Sequence, residues 1–176
     1  MSRHGGNAAL CSIASVFAVA AAVHTVVGFS LVGQRWTDGS ISVEVSLGPA
    51  AGLVDGSEDW DACAGQSLAE WNAALASTAV RFIPVPGGTG SPVAFDRVNS
   101  IGFADDIFGI PFGSSLLSVT QSFARVQDGL NATFEADVLI NRSHPFNCYR
   151  GAQRPGPPVH DLQRIVTHAL GHVIGL

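Results

Sequence analysis

The sequence contains no lysine. All nine of its cations are arginine, and with fourteen acidic residues the 176-residue chain carries a net charge of −5. That balance leaves no basic footprint to neutralise phosphates, which argues against nucleic acid as a partner. Charge of either sign is scarce, since charged residues make up 13% of the chain, about half the usual share. Hydrophobic residues make up 47%, and disorder driven by charge needs the opposite composition. No glycine-rich phosphate loop follows a strand-like run and no Gly-x-Ser-x-Gly elbow occurs. Nucleotide binding and serine hydrolysis are therefore without support. No internal repeat or low-complexity tract divides the chain, whose length suits one domain with a real core.

The positive mean hydropathy of +0.30 has a local origin. Between residues 8 and 32 only His24 can carry a charge, and Arg3 with the amino terminus lies ahead of that run. A positive start, an apolar stretch of Ala, Val, Ile and Phe, and small residues at Ala18, Ala20 and Ala22 read as a secretory signal peptide over residues 1–24. The alternative is a single transmembrane anchor, because about twenty apolar residues span a bilayer. Weakly lipophilic alanine and the interruption at His24 favour cleavage. Residues 25–176 are then the folded domain of an exported protein, with Cys63 and Cys148 as its cysteines. In an oxidising compartment these two read as a disulfide candidate, the other reading being two buried thiols.

Ile41, Val43, Val45 and Leu47 alternate with Ser42, Glu44 and Ser46, the period-two signature of a half-buried strand. Trp60, Ala64, Leu68, Trp71 and Leu75 recur at helical spacing behind Ser57 and Asp59 as capping residues. They predict an amphipathic helix that packs two tryptophans onto a sheet. Val80, Phe82 and Val85 predict a second strand, ended by the Pro/Gly-rich stretch 84–92. Short strands are expected at 99–103 and 116–120, and a further alternating strand runs through Phe134, Ala136, Val138 and Ile140. Residues 141–158 read as an irregular loop. Asp161 then caps a final helix whose apolar face is Leu162, Ile165, Val166, Ala169, Leu170 and Val173. Strand, helix, several strands and helix make a mixed α/β or α+β arrangement.

The chemistry lies in the last helix. His168 and His172 are four residues apart, so their imidazoles leave one helix face about a turn apart, which suits two nitrogen ligands on one Zn2+. A helix with two half-exposed histidines has the same spacing. The wider segment Ile165-Val166-Thr167-His168-Ala169-Leu170-Gly171-His172-Val173-Ile174-Gly175-Leu176 resembles the active-site helix of the matrixin-like zinc endopeptidases of the metzincin clan. Their pattern is His-Glu-x-x-His-x-x-Gly-x-x-His, and His168, His172 and Gly175 fall on its first His, second His and Gly. Upstream, Arg35-Trp36 and the strand after it resemble the family's amino-terminal strand. Ala69, Trp71 and Asn72 lie in a helix similar to its first helix, and Glu135-Ala136-Asp137-Val138 with Asn141 resemble the strand before its active-site loop.

The resemblance implies an α+β, zincin-like fold: a mixed twisted β-sheet and two visible helices, the second being the active-site helix. It implies a secreted zinc metalloendopeptidase acting on extended polypeptides, with Zn2+ on His168 and His172. Substrate would lie antiparallel to an edge strand of Leu116, Leu117, Ser118, Val119 and Thr120. The implied partner is a polypeptide, not nucleic acid, and no membrane once the leader is cleaved. Two departures bear on activity. The family's general base is Ala169 here, and losing such a group costs roughly 10²–10⁴ in rate. The third His would fall two residues past Leu176, so the domain is expected to be truncated at the active-site helix, one protein ligand short of a catalytic zinc site. Without the family's C-terminal subdomain, Val173, Ile174 and Leu176 are expected to be partly exposed. Among the other histidines His160 stands too far up the helix to reach, and His144, on a long loop, is the remaining candidate to complete the site. In some members of the family this middle region binds Ca2+, for which Asp105, Asp106, Asp128 and Asp137 offer oxygens, the alternative being solvated turn carboxylates. A non-catalytic zincin-like binding module, or a degenerate gene fragment, is the competing reading.

Overall fold

The computed structural model describes residues 33–86, 90–149, 151–152 and 159–176. The leader expected at 1–24, part of the 84–92 stretch and the prolines at 155, 157 and 158 lie outside the described residues. The elements run β1 (Arg35–Trp36), β2 (Ser40–Ser46), α1 (Trp60–Ala74), β3 (Arg81–Pro86), β4 (Ser100–Ala104), β5 (Ser118–Gln127), β6 (Leu130–Asn141), β7 (Phe146–Asn147), β8 (His160–Asp161) and α2 (Leu162–Val173). The fold is α+β, with two helices and a mostly parallel central sheet among the described residues.

In space β3, β2, β4 and β6 are parallel neighbours in that order. β1 joins β6 in parallel, and β5 pairs with β6 antiparallel along its whole length. Period-two alternation gives each strand one apolar face. Ile41, Val43 and Val45 of β2 and Ala136, Val138 and Ile140 of β6 face Ala64 and Leu68 of α1 and Val166 and Leu170 of α2, forming the main core. The opposite face of β6 carries Leu139, which packs with Ala104 and Phe112. Glu135 and Asp137 share that face and are fully buried.

Helix α1 starts where Asp59 accepts a hydrogen bond from the Ala62 amide at 2.7 Å. Cys63 on α1 is bonded to Cys148 beyond β7, closing 85 residues of sequence. Both tryptophans of α1 pack against the main core, and Trp60 stands edge-on to Phe103 of β4 at 5.9 Å. Trp71 also meets α2. Its indole N–H donates to the Thr167 carbonyl at 2.7 Å, and a Cβ at Gly171 would stand 3.3 Å from its ring. The glycine lets the two helices close on that indole.

Several element bounds differ from the sequence reading. β3 continues through Pro84 and Pro86, because among the described residues it pairs only with β2 and its other edge needs no amide donors. The edge strand begins at Ser118 and runs to Gln127, leaving Leu116 and Leu117 ahead of it. Its second half mixes Gln121, Ser122, Arg125 and Gln127 with Phe123, Ala124 and Val126 and lies half-buried to exposed at the sheet margin. Asp128 and Gly129, at φ 52° and 76°, close the β5–β6 hairpin. Part of the expected 141–158 loop is ordered, since Phe146–Asn147 pairs with His160–Asp161. Asp161 occupies the N-cap position of α2 without a capping bond, because its carboxylate accepts from the Tyr149 amide instead. Val173, expected at the surface, is 4% exposed. The Trp36 side chain covers it, donating its indole N–H to the Val173 carbonyl at 2.8 Å. Ile174 and Leu176 are half-buried.

Candidate metal centre

Helix α2 is strongly two-sided. Leu162, Val166, Ala169, Leu170 and Val173 are buried against the sheet and α1, while His168 and His172 are on the exposed face. Their rings stand perpendicular at 89°, centroids 4.7 Å apart. The Nε2 atoms come within 3.1 Å of each other. Two nitrogens on one tetrahedral Zn2+ at 2.0–2.1 Å are separated by about 3.3 Å. The pair thus already spans nearly the edge of that tetrahedron.

A backbone turn fixes one of the two rings. After Val173 the chain passes through Ile174 to Gly175 at φ 93°, a conformation glycine adopts freely. The Gly175 amide returns to the His172 carbonyl and the Leu176 amide to the Gly171 carbonyl, both at 3.0 Å. This is a Schellman end, and it satisfies carbonyls that the helix leaves open. It also brings the Leu176 carbonyl to 2.7 Å from Nδ1 of His172. A carbonyl can only accept, so Nδ1 carries the hydrogen and the lone pair of the neutral ring is on Nε2. A carbonyl behind a metal-facing histidine is the usual way such a ring is oriented.

The edge strand lies alongside. Thr120 donates its hydroxyl to the Ala169 carbonyl at 3.2 Å, so β5 is tied to α2 beside His168. Val119 packs into the small cluster on the far face of the sheet, and Ser118 pairs with Ile140. The Ala169 methyl is 1% exposed and packs into the main core. No side chain at that position can accept a proton.

The other metal-capable residues lie elsewhere. His144 and His160 face each other edge-on at 5.6 Å, at the amino-terminal end of α2. From His160 to His168 is eight residues, about 12 Å along a helix. Asp105, exposed, stands 3.4 Å from Arg142, and Asp106 accepts from the Gly109 amide. Asp128 is at the hairpin turn, and Asp137 is inside the sheet. Among the described residues no group of three His, Cys, Asp or Glu side chains gathers around one point. The two imidazoles fit two corners of a zinc site, and the described residues supply no third protein donor.

Asp137 is the most perturbed carboxyl near the site's supporting strand. Its Oδ1 accepts from the amide and hydroxyl of Ser100 at 3.1 and 2.6 Å, whereas Oδ2 is buried without a partner among the described residues. Burial raises its pKa to about 6, the negative Glu135 and Asp96 nearby add to the rise, and the Ser100 bonds oppose it. Burial also raises Asp161, partly offset by the Tyr149 amide and Arg164. Glu135 is satisfied by the amides of Phe95 and Arg97, both at positive φ.

Neither protein-family models nor curated proteins give a match to this chain. The functional reading therefore rests on the residues. Sequence reasoning found the two histidines. It missed the Leu176 carbonyl behind His172 and the Thr120 anchor, although Gly175 one turn after His172 is the signal from which the first could be read.

Proposed function

We propose that His168 and His172 are the zinc-binding pair of a zincin-like domain of the matrixin type, exported from the cell and acting on extended polypeptides. One observation carries this reading: two Nε2 atoms 3.1 Å apart on an exposed helix face, one of them oriented by a backbone carbonyl on Nδ1. The α+β fold with its antiparallel edge strand is compatible with it, and so is the tie between Thr120 and Ala169. β5 pairs only with β6 among the described residues, so its other edge is available for strand addition by a peptide beside the histidines. Among the described residues no helix is long and apolar enough to cross a membrane.

Zinc bound here would supply Lewis acidity to a water or a peptide carbonyl. The chain's own contribution is limited to holding and orienting two ligands, because a buried methyl stands at 169. That methyl favours a second reading, a peptide-binding module of the same fold without catalysis. Titration of the metal-free chain with Zn2+ tests the first. One saturable site is expected, with affinity lowered at least tenfold in H168A and in H172A and unchanged in H144A. Binding that survives loss of both His168 and His172 would sink the reading. Ala169→Glu separates enzyme from module. Zinc-dependent cleavage of casein by A169E is expected if only the base is missing, and zinc binding without cleavage would leave the module.

A further inference from the structure

The parallel strands β2, β4 and β6 end side by side, and a cavity of about 370 Å3 opens just beyond them. In sheets of this kind the crevice outside the carboxyl ends of parallel strands is where ligands bind. Five of its seven lining residues are apolar and three of those are aromatic: Leu47 and Pro49 after β2, Trp60 at the start of α1, Phe103 on β4 and Phe146 on β7. Phe103 braces the other two rings, 5.9 Å from Trp60 and 5.8 Å from Phe146, centre to centre. Such a cradle presents flat surfaces to a flat guest.

Two nitrogen-bearing side chains complete the lining, Arg142 and His144. The Arg142 guanidinium lies 5.6 Å from the centre of the Phe103 ring and donates to the Phe103 carbonyl at 3.0 Å. Its only acidic partner among the described residues is Asp105 at 3.4 Å, which is 81% exposed. An exposed pair of that kind is weak, and the guanidinium keeps further donors for a second acceptor. Nε2 of His144 is buried without a hydrogen-bond partner among the described residues. A buried polar atom left unpaired is costly, and a ligand oxygen would relieve it.

We propose that this cavity binds a small carboxylic acid with an aromatic body. The ring lies among Trp60, Phe103 and Phe146, and the carboxylate takes hydrogen bonds from Arg142 and His144. The size falls within the usual range for small-molecule pockets, about 300–1,000 Å3. Phe146 is beside His160 at 6.0 Å, so the cavity is at the opposite end of α2 from His172. The proposal therefore stands or falls independently of the metal reading.

The test is calorimetric titration of the full chain with 3-phenylpropionate, alongside the Trp60 indole N–H resonance. Saturable binding that shifts the Trp60 signal is expected. R142Q, an exposed substitution, should weaken it roughly tenfold, as should replacing the acid by 3-phenylpropanamide. D105N removes a competitor for Arg142 and should tighten binding several-fold, an effect that loss of structure would not produce. H168A should change nothing. Absence of saturation by about 10 mM, equal affinity for acid and amide, or indifference to both R142Q and D105N would overturn the proposal.

Discussion

Among the described residues two edge-on histidine pairs stand at opposite ends of α2, and they are built by different means. His168 and His172 are four residues apart on one helix, and helical geometry alone brings their Nε2 atoms to 3.1 Å. His144 and His160 are sixteen residues apart, and their rings stand 5.6 Å from one another. What joins them is the β7–β8 pairing, with the Cys63–Cys148 link on the same segment. The first pair is exposed, with its nitrogens converging. The second is half-buried, with one Nε2 unpaired beside an aromatic cavity. Convergent exposed nitrogens suit a cation. A lone buried nitrogen next to apolar walls and a guanidinium suits an acceptor on an organic guest.

The comparison breaks most sharply at the disulfide. Replacing Cys63 and Cys148 by serine should cost about 4 kcal/mol through loop closure. Urea unfolding reads that loss. The same variant should lose the 3-phenylpropionate site while keeping zinc affinity within a factor of about two, since the local helix alone brings His168 and His172 together. Equal damage to both ends would show that the two pairs are not independently built.

Next in size is a pH effect that serves as a reference for both ends. Asp137 titrates near 6 in the folded chain, above its ordinary 3.8, because it is buried. The native state therefore holds this proton longer than the unfolded state does. Its contribution to stability is fully present below pH 3.8 and declines as pH rises towards 6. The amount is on the order of 3 kcal/mol. Asp137→Asn keeps an acceptor for Ser100 and removes the titration. Stability curves of wild type and D137N should diverge between those pH values, with D137N the more stable at pH 7. Parallel curves would show that Asp137 is ionised at no unusual cost.

The smallest effect is at the other end. Gly175→Ala forces a Cβ into a left-handed position and should cost about 1–2 kcal/mol. By loosening the Leu176 carbonyl behind His172 it should also reduce zinc affinity several-fold and leave 3-phenylpropionate binding unaltered. Intact zinc affinity in G175A would mean that the carbonyl does not orient the ring.

Much of this was legible in sequence where the signal is local. Alternation through Ile41, Val43 and Val45 and the helical spacing from Trp60 to Leu75 placed β2 and α1, and Asp59 marked the cap. Where neighbours decide, the sequence misled. Prolines 84 and 86 read as a strand's end, yet they sit in an edge strand that tolerates them. The adjacent apolar pair Phe123-Ala124, at a bulge, broke the alternation and hid the second half of β5, although Asp128-Gly129 is a hairpin signal in plain view. Val173 was expected to be partly exposed without a further subdomain, yet Trp36, 137 residues away, covers it.

By itself the sequence determined the spacing of His168 and His172, the methyl at Ala169 and the turn at Gly175. These depend on helix periodicity, residue identity and the conformational freedom of glycine, all fixed within one segment of chain. Only the tertiary structure decided which ring nitrogen of His172 is free, which strand edge lies beside it, and that Trp60, Phe103, Arg142, His144 and Phe146 share a cavity. Those outcomes are set by contacts between distant segments, and the sheet order that creates them has no local signature.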